Sequence, residues 1–77
     1  MSVQKRILAY HIGRLQDHSA AVRLKAIGEL ALLGDPDALD ALRAIYQGDP
    51  DVEVRKAAQE AGRKLFLIQQ ANDSATT

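Results

Sequence analysis

An all-α fold is predicted, with four helices paired into two hairpins and stacked as a short α-solenoid. Three observations predict it. Apolar residues recur at helical spacing throughout the chain. Four such stretches are separated by short clusters of Gly, Pro, Ser and Asp. The chain also matches itself when shifted by 32 residues.

The first helix is placed at about Ser2 to Gln16. Leu8, Ile12 and Leu15 share one face there, and Val3, Ile7 and Tyr10 line an adjoining stripe. The second helix is placed at about Ser19 to Leu33, with Val22, Ala26, Leu30 and Leu33 inward. Ser19 fits the N-cap, where its hydroxyl accepts a backbone N–H, and Gly34 fits the left-handed position after the last turn. The third helix begins at Asp35-Pro36, with Asp as the cap and Pro where its missing N–H is harmless. It buries Ala38, Leu39, Leu42, Ile45 and Tyr46 and ends at Gly48. The fourth follows Asp49-Pro50-Asp51 and runs from about Asp51 to Gln70, with Val54, Ala58, Ala61, Leu65 and Ile68 inward. Residues 71–77 are small, polar and aperiodic, and are predicted to form a flexible tail. No segment alternates as a strand would. Loops this short make successive helices antiparallel.

Under the 32-residue shift, Asp17 falls on Asp49, Val22 on Val54, Arg23 on Arg55, Ala26 on Ala58 and Leu33 on Leu65. One domain, residues 1–70, is therefore expected, with repeat one at about 2–34 and repeat two at about 35–70.

The segments Asp17 to Ala26 and Asp49 to Ala58 resemble HEAT repeats, and more closely the short HEAT-like repeats of the phycobilisome-lyase type. The shared pattern is an Asp-rich turn, then Val-Arg, Ala and Leu, with Leu33-Gly34-Asp35 as the Leu-Gly-Asp ending. Repeat two departs from it. Phe66 and Leu67 follow Leu65, and Gly62 stands at the position equivalent to Leu30. The resemblance implies a hydrogen-bonded ladder between repeats in which Asp17 and Asp49 face Arg23 and Arg55. It also allows an accessory role in attaching bilin chromophores to antenna proteins. The physical reason for a ladder stands beside it: an Arg next to a core Val lies at the edge of the buried face and needs a carboxylate once desolvated.

A chain of 77 residues affords a single, modest core. With no Cys it has no disulfide, thiolate zinc site or catalytic thiol. Its formal net charge of zero argues against a dedicated binder of nucleic acid or anionic membranes. That zero is a sum of blocks. Three cations and no acid lie in residues 1–16, six acids against Arg43 in 35–53, and four cations against Glu60 in 54–66. No apolar run has the length of a membrane span or a secretory signal, so a cytoplasmic location is expected.

Chemical motifs are sparse. His11 and His18 are separated by a predicted helix end. Asp49, Asp51, Glu53 and Glu60 match a calcium-loop count, but Val54 stands where that loop requires Gly. Helix capping accounts for these acids better. No nucleophile elbow or phosphate-cradling glycine loop occurs. The chain is accordingly expected not to be an enzyme and to take no cofactor or metal.

The second helix is apolar on a second side, at Leu24, Gly28, Ala31 and Leu32, where its counterpart in repeat two is charged. A helix apolar on both sides is buried on both sides or forms a binding surface. Gly28 in mid-helix points to a close approach by another backbone. Phe66 and Leu67 extend apolar surface around the fourth helix near its end. Two repeats are few for a solenoid, and both ends of the stack are expected to expose apolar flanks. These features predict non-catalytic protein–protein interaction by an adaptor, assembly factor or small regulatory subunit. Homo-oligomerisation through the uncovered ends is a further expectation; a membrane partner is not expected, and nucleic acid is disfavoured.

Overall fold

Three of the four α-helices begin where a short polar side chain takes over an unsatisfied backbone N–H, and the third is entered through a turn capped by Asp35. The computed structural model describes residues 2–75, and the side chains of 2–73. Helix α1 spans Val3–Arg14, and the Ser2 hydroxyl accepts from the Lys5 amide at 3.1 Å. Helix α2 spans Ala20–Leu33, and the Ser19 hydroxyl accepts from the Val22 amide at 3.3 Å. Gly34 ends α2 at φ 67°, and its amide donates back to the Leu30 carbonyl. Helix α3 spans Leu39–Gly48 and α4 spans Val52–Ala75. The Asp51 carboxylate accepts from the Glu53 and Val54 amides at the start of α4.

Two boundaries differ from the sequence reading. The stretch after Asp35 opens as a 3-10 turn, Pro36–Ala38, in which the Ala38 amide donates to the Asp35 carbonyl at 3.1 Å, and only then becomes α3. Helix α4 runs five residues past the expected end at Gln70. No Gly or Pro follows Gln70 to stop it, so a helix already nineteen residues long propagates through Ala71–Ala75. Thr76 and Thr77, the rest of the expected tail, lie outside the described residues.

Helix α1 packs on α2, α3 on α4, and α4 on α2, so α4 lies beside both its own partner and the second helix of repeat one. The core between them includes Leu8, Leu15, Leu30, Leu42, Val54 and Leu65. Ile27 also belongs to it at 2% exposure, whereas Leu33, read as inward, is 42% exposed. The side of α2 that faces α4 is rotated toward Ile27. Tyr46, also read as inward, is exposed.

Candidate interaction surfaces

The Asp-bearing turns share one local device. In each, a carboxylate oxygen accepts from the amide two residues on: Asp17 from Ser19, Asp35 from Asp37, and Asp49 from Asp51, all at 2.9 Å. Short polar side chains favour such turns because they imitate a backbone turn. The turns then differ in what they hold. Arg23 reaches across the repeats to Asp49, Nε to Oδ2 at 2.8 Å and Nη2 to Oδ1 at 3.2 Å. Its Nη1 donates to the Asp17 and His18 carbonyls. Arg55 repeats only the second half of this pattern, donating Nη1 to the Asp49 carbonyl at 2.7 Å. Among the described residues no carboxylate forms an ion pair with Arg55, and no cation pairs with the Asp17 carboxylate. The Arg23–Asp49 rung is therefore closed, while Arg55 and Asp17 are each half of an open one.

Asp49 is buried. Burial pushes its carboxyl up, but the Asp51 amide and the Arg23 guanidinium together hold it below the usual carboxylate range. A second link ties α1 to the 3-10 turn. Lys5 Nζ bridges Asp35 at 2.7 Å and Asp37 at 2.6 Å. Lys5, then the Asp37 amide, lower the Asp35 pKa. Sequence spacing held no sign of this contact, which joins residues 30 apart through the packing of α1.

The six apolar surface residues singled out in the sequence fall on separate faces. Leu24, Gly28 and Ala31 line a groove between α2 and α4, together with Ile27, Ala57, Glu60, Ala61 and Lys64. Leu32 lies outside it and is 77% exposed. Phe66 lines a different groove between α3 and α4 with Leu39, Tyr46, Gly62 and Arg63. Leu67 sits in a third depression along α4. Gly28 is open: a Cβ there would meet nothing within 4 Å, so no backbone of this chain approaches it.

The flanks of the stack are more polar than expected. The Ala57 and Ala61 positions, on the side of α4 lining the α2 groove, correspond in repeat one to Lys25 and Glu29. Buried Ile27 and Leu30 and half-buried Ala31 correspond in repeat two to Gln59, Gly62 and Arg63. At these positions the outer flanks carry polar or small residues where the interior stacking surfaces are apolar, while Phe66 and Tyr46 stay exposed beside them on repeat two. His11 contacts the Tyr10 ring edge-on at 5.2 Å and does not meet His18 in any metal-like cluster; among the described residues no group of three or more His, Cys, Asp or Glu is placed to hold a metal ion. No described helix is long and apolar enough to cross a membrane.

Antiparallel helical hairpins joined by an Arg–Asp rung define an α-solenoid of HEAT type. The family profile described as HEAT repeats matches residues 4–62. The chain belongs to the HEAT-repeat family. It is also similar to deoxyhypusine hydroxylase from Gallus gallus, with 35% identity over an alignment of 81 positions that covers 86% of this chain. The chain spans 27% of that relative's length. No solved structure matches it significantly. The match to the hydroxylase overturns the expectation that the chain is not an enzyme, because similarity over most of the chain is to a protein named as one. That expectation rested on the lack of short local motifs. Repeat folds assemble sites from residues scattered over several repeats, where no local motif need appear.

Proposed function

We propose that the chain is a protein-interaction module of the adaptor, assembly-factor or regulatory-subunit kind, and that its binding face is the groove between α2 and α4. One observation carries this. The groove has a volume of about 300 Å³ and an apolar floor from Leu24, Ile27, Gly28, Ala31, Ala57 and Ala61, with Glu60 and Lys64 at its edge. An apolar cleft with a few polar groups at its rim suits a helix or an extended segment of another protein. Gly28 removes the side chain that would otherwise hold such a segment away. Affinity capture with the wild-type chain and with Gly28→Gln, compared at equal thermal stability, tests the reading. A bound protein lost from the Gly28→Gln capture supports it. The same bound proteins with both baits refute it.

A second reading is favoured by the similarity to deoxyhypusine hydroxylase. On it, the chain is a portion or a companion of a longer hydroxylase, in which one atom of dioxygen enters the deoxyhypusine side chain and the other leaves as water with two electrons from an external reductant. Mass spectrometry of a deoxyhypusine-bearing protein incubated with the chain tests it: gain of one oxygen supports this reading. The lyase-type resemblance adds a bilin-linked variant that rests on the turn motif alone, and bilin absorbance on co-expression with an antenna protein tests that.

A further inference from the structure

The internal repeat shows what covers an Arg-headed flank. In repeat one, Arg23 takes the carboxylate of Asp49, and Ile27 and Leu30 are buried beside α4. In repeat two the equivalent face begins at Arg55 and continues down α4 through Gln59, Gly62, Arg63 and Phe66. These positions recur at four, seven, eight and eleven residues, so they share one side of the helix. Among the described residues this side stays largely uncovered: Gln59, Arg63 and Phe66 are exposed, and Arg55 and Gly62 are half-buried. It borders a groove of about 330 Å³ with Leu39 and Tyr46 on the α3 side. Two arginines, Arg43 and Arg63, line that groove and no acid does. Arg43 has only a marginal contact at 4.0 Å to Asp40.

We propose that this α3–α4 flank binds an acidic helical segment of another protein, seating an Asp-bearing turn on Arg55 and a carboxylate opposite Arg63. The Nε and Nη2 edge of Arg55 corresponds to the one with which Arg23 holds Asp49. Planar guanidinium groups recognise carboxylates through two parallel bonds, so an open edge beside an apolar groove selects for that partner group. The recess at Gly62 and the Phe66 and Tyr46 rings take the apolar side of the incoming helix. A second copy of this chain is a poor occupant. Stacked head to tail it would offer Asp17 to Arg55, but by the 32-residue correspondence it would bring Lys25 as well as Glu29 to the side of Arg63, so its acid comes with a like charge beside it. Like charges so placed oppose association. This face is separate from the α2–α4 groove, so the two readings stand or fall independently.

The test converts a second copy into the proposed partner. The probe is an unlabelled full-length chain carrying Lys25→Glu and Arg55→Gln, which presents the Asp17 turn, an added acid and no arginine rung of its own. It is titrated into ¹⁵N-labelled wild-type chain, and the arginine Nε–H and backbone amide signals are followed by NMR. Movement of the Arg55 Nε–H signal and the Gly62 and Phe66 amides, with the Arg23 signal unmoved, is the expected result. Asp17→Asn in the probe keeps the turn's acceptor but removes its charge, and weakens binding by about tenfold or more. Arg55→Gln in the labelled chain does the same. A probe chain that circular dichroism shows to be unfolded is replaced by a helix-stapled peptide copying residues 17–33 with the Lys25→Glu change. An immobile Arg55 signal, shifts confined to Gly28 and Ala31, affinity unchanged by Asp17→Asn, or equal shifts from an unmodified second copy would each overturn the proposal.

Discussion

Arg23 holds Asp49 through two nitrogens across the boundary between the repeats, at 2.8 and 3.2 Å, with side chains only 12% and 3% exposed. The two residues lie 26 apart in the chain, and the rung ties the start of α2 to the turn that precedes α4. A desolvated pair of this kind is costly to break on one side only, because the remaining charge stays buried without its partner.

Removal of either side chain, by Asp49→Ala or Arg23→Ala, should cost about 3 kcal/mol. That is a large part of the roughly 4–10 kcal/mol expected for a domain of this size. The double variant should cost less than the sum, with a coupling of about 1–3 kcal/mol. Urea unfolding followed by circular dichroism measures all three. Strictly additive losses would mean that the rung carries no energy of its own.

Acid should weaken the fold through Asp49 and Asp35. Both carboxyls are held below the ordinary carboxylate range in the folded chain. A depressed folded pKa contributes stability that is fully present above the unfolded value and is lost as the pH falls through the folded one. The stability curve should therefore be flat in this respect at neutral pH and fall below about pH 4. Asp49→Asn should lower the plateau and shallow the acid slope. Denaturation midpoints taken across pH 2 to 7 test this, and an unchanged slope in Asp49→Asn would assign the acid loss to other groups.

Two glycines should respond in opposite directions to the same change. Gly28→Ala should stabilise the chain by up to about 1 kcal/mol, because it sits in mid-helix and its Cβ would meet nothing. Gly34→Ala should destabilise by about 1 kcal/mol, because φ is 67°, a left-handed conformation that an L side chain disfavours. Thermal melting of the two variants beside the wild type is sufficient. A Gly28→Ala variant that melts lower would reveal strain not visible in the open space around that position.

What was legible in the sequence was local or repeated. Ser2, Ser19, Asp51 and Gly34 act within one helical turn of where they stand, so their roles follow from residue type and neighbours alone. The ladder was implied by the HEAT resemblance and not by spacing; in the structure Arg23 pairs with Asp49, while Arg55 reaches only the Asp49 carbonyl. Ile27 was not legible in the same way. Which side of α2 becomes core depends on where α4 lies, and that is set by packing between repeats. The Lys5 bridge to Asp35 and Asp37 has the same origin. The candidate surface was read as a second side of α2 and, separately, the end of α4; the crossing of α2 and α4 and the length of α4 distribute Leu24, Leu32, Phe66 and Leu67 over different faces. The similarity to deoxyhypusine hydroxylase was the least legible feature, since no short local motif in the sequence points to it.

The polar outer flank of repeat two should be what keeps the stack from growing. Gln59, Gly62 and Arg63 occupy the positions of Ile27, Leu30 and Ala31, which lie inside the molecule in repeat one. Restoring the repeat-one residues by Gln59→Ile, Gly62→Leu and Arg63→Ala would leave a leucine and an isoleucine uncovered beside Phe66, which is already 50% exposed. Each large aliphatic side chain so placed adds about 1.5–3 kcal/mol of drive toward any surface that can bury it. The triple variant should therefore self-associate with rising concentration, while helix content is kept or raised because Gly62 is replaced by a better helix former. Sedimentation velocity over a hundredfold range of concentration, with circular dichroism on the same samples, reads both effects. A triple variant with the same sedimentation behaviour as the wild type would show that residues other than these three limit the stack.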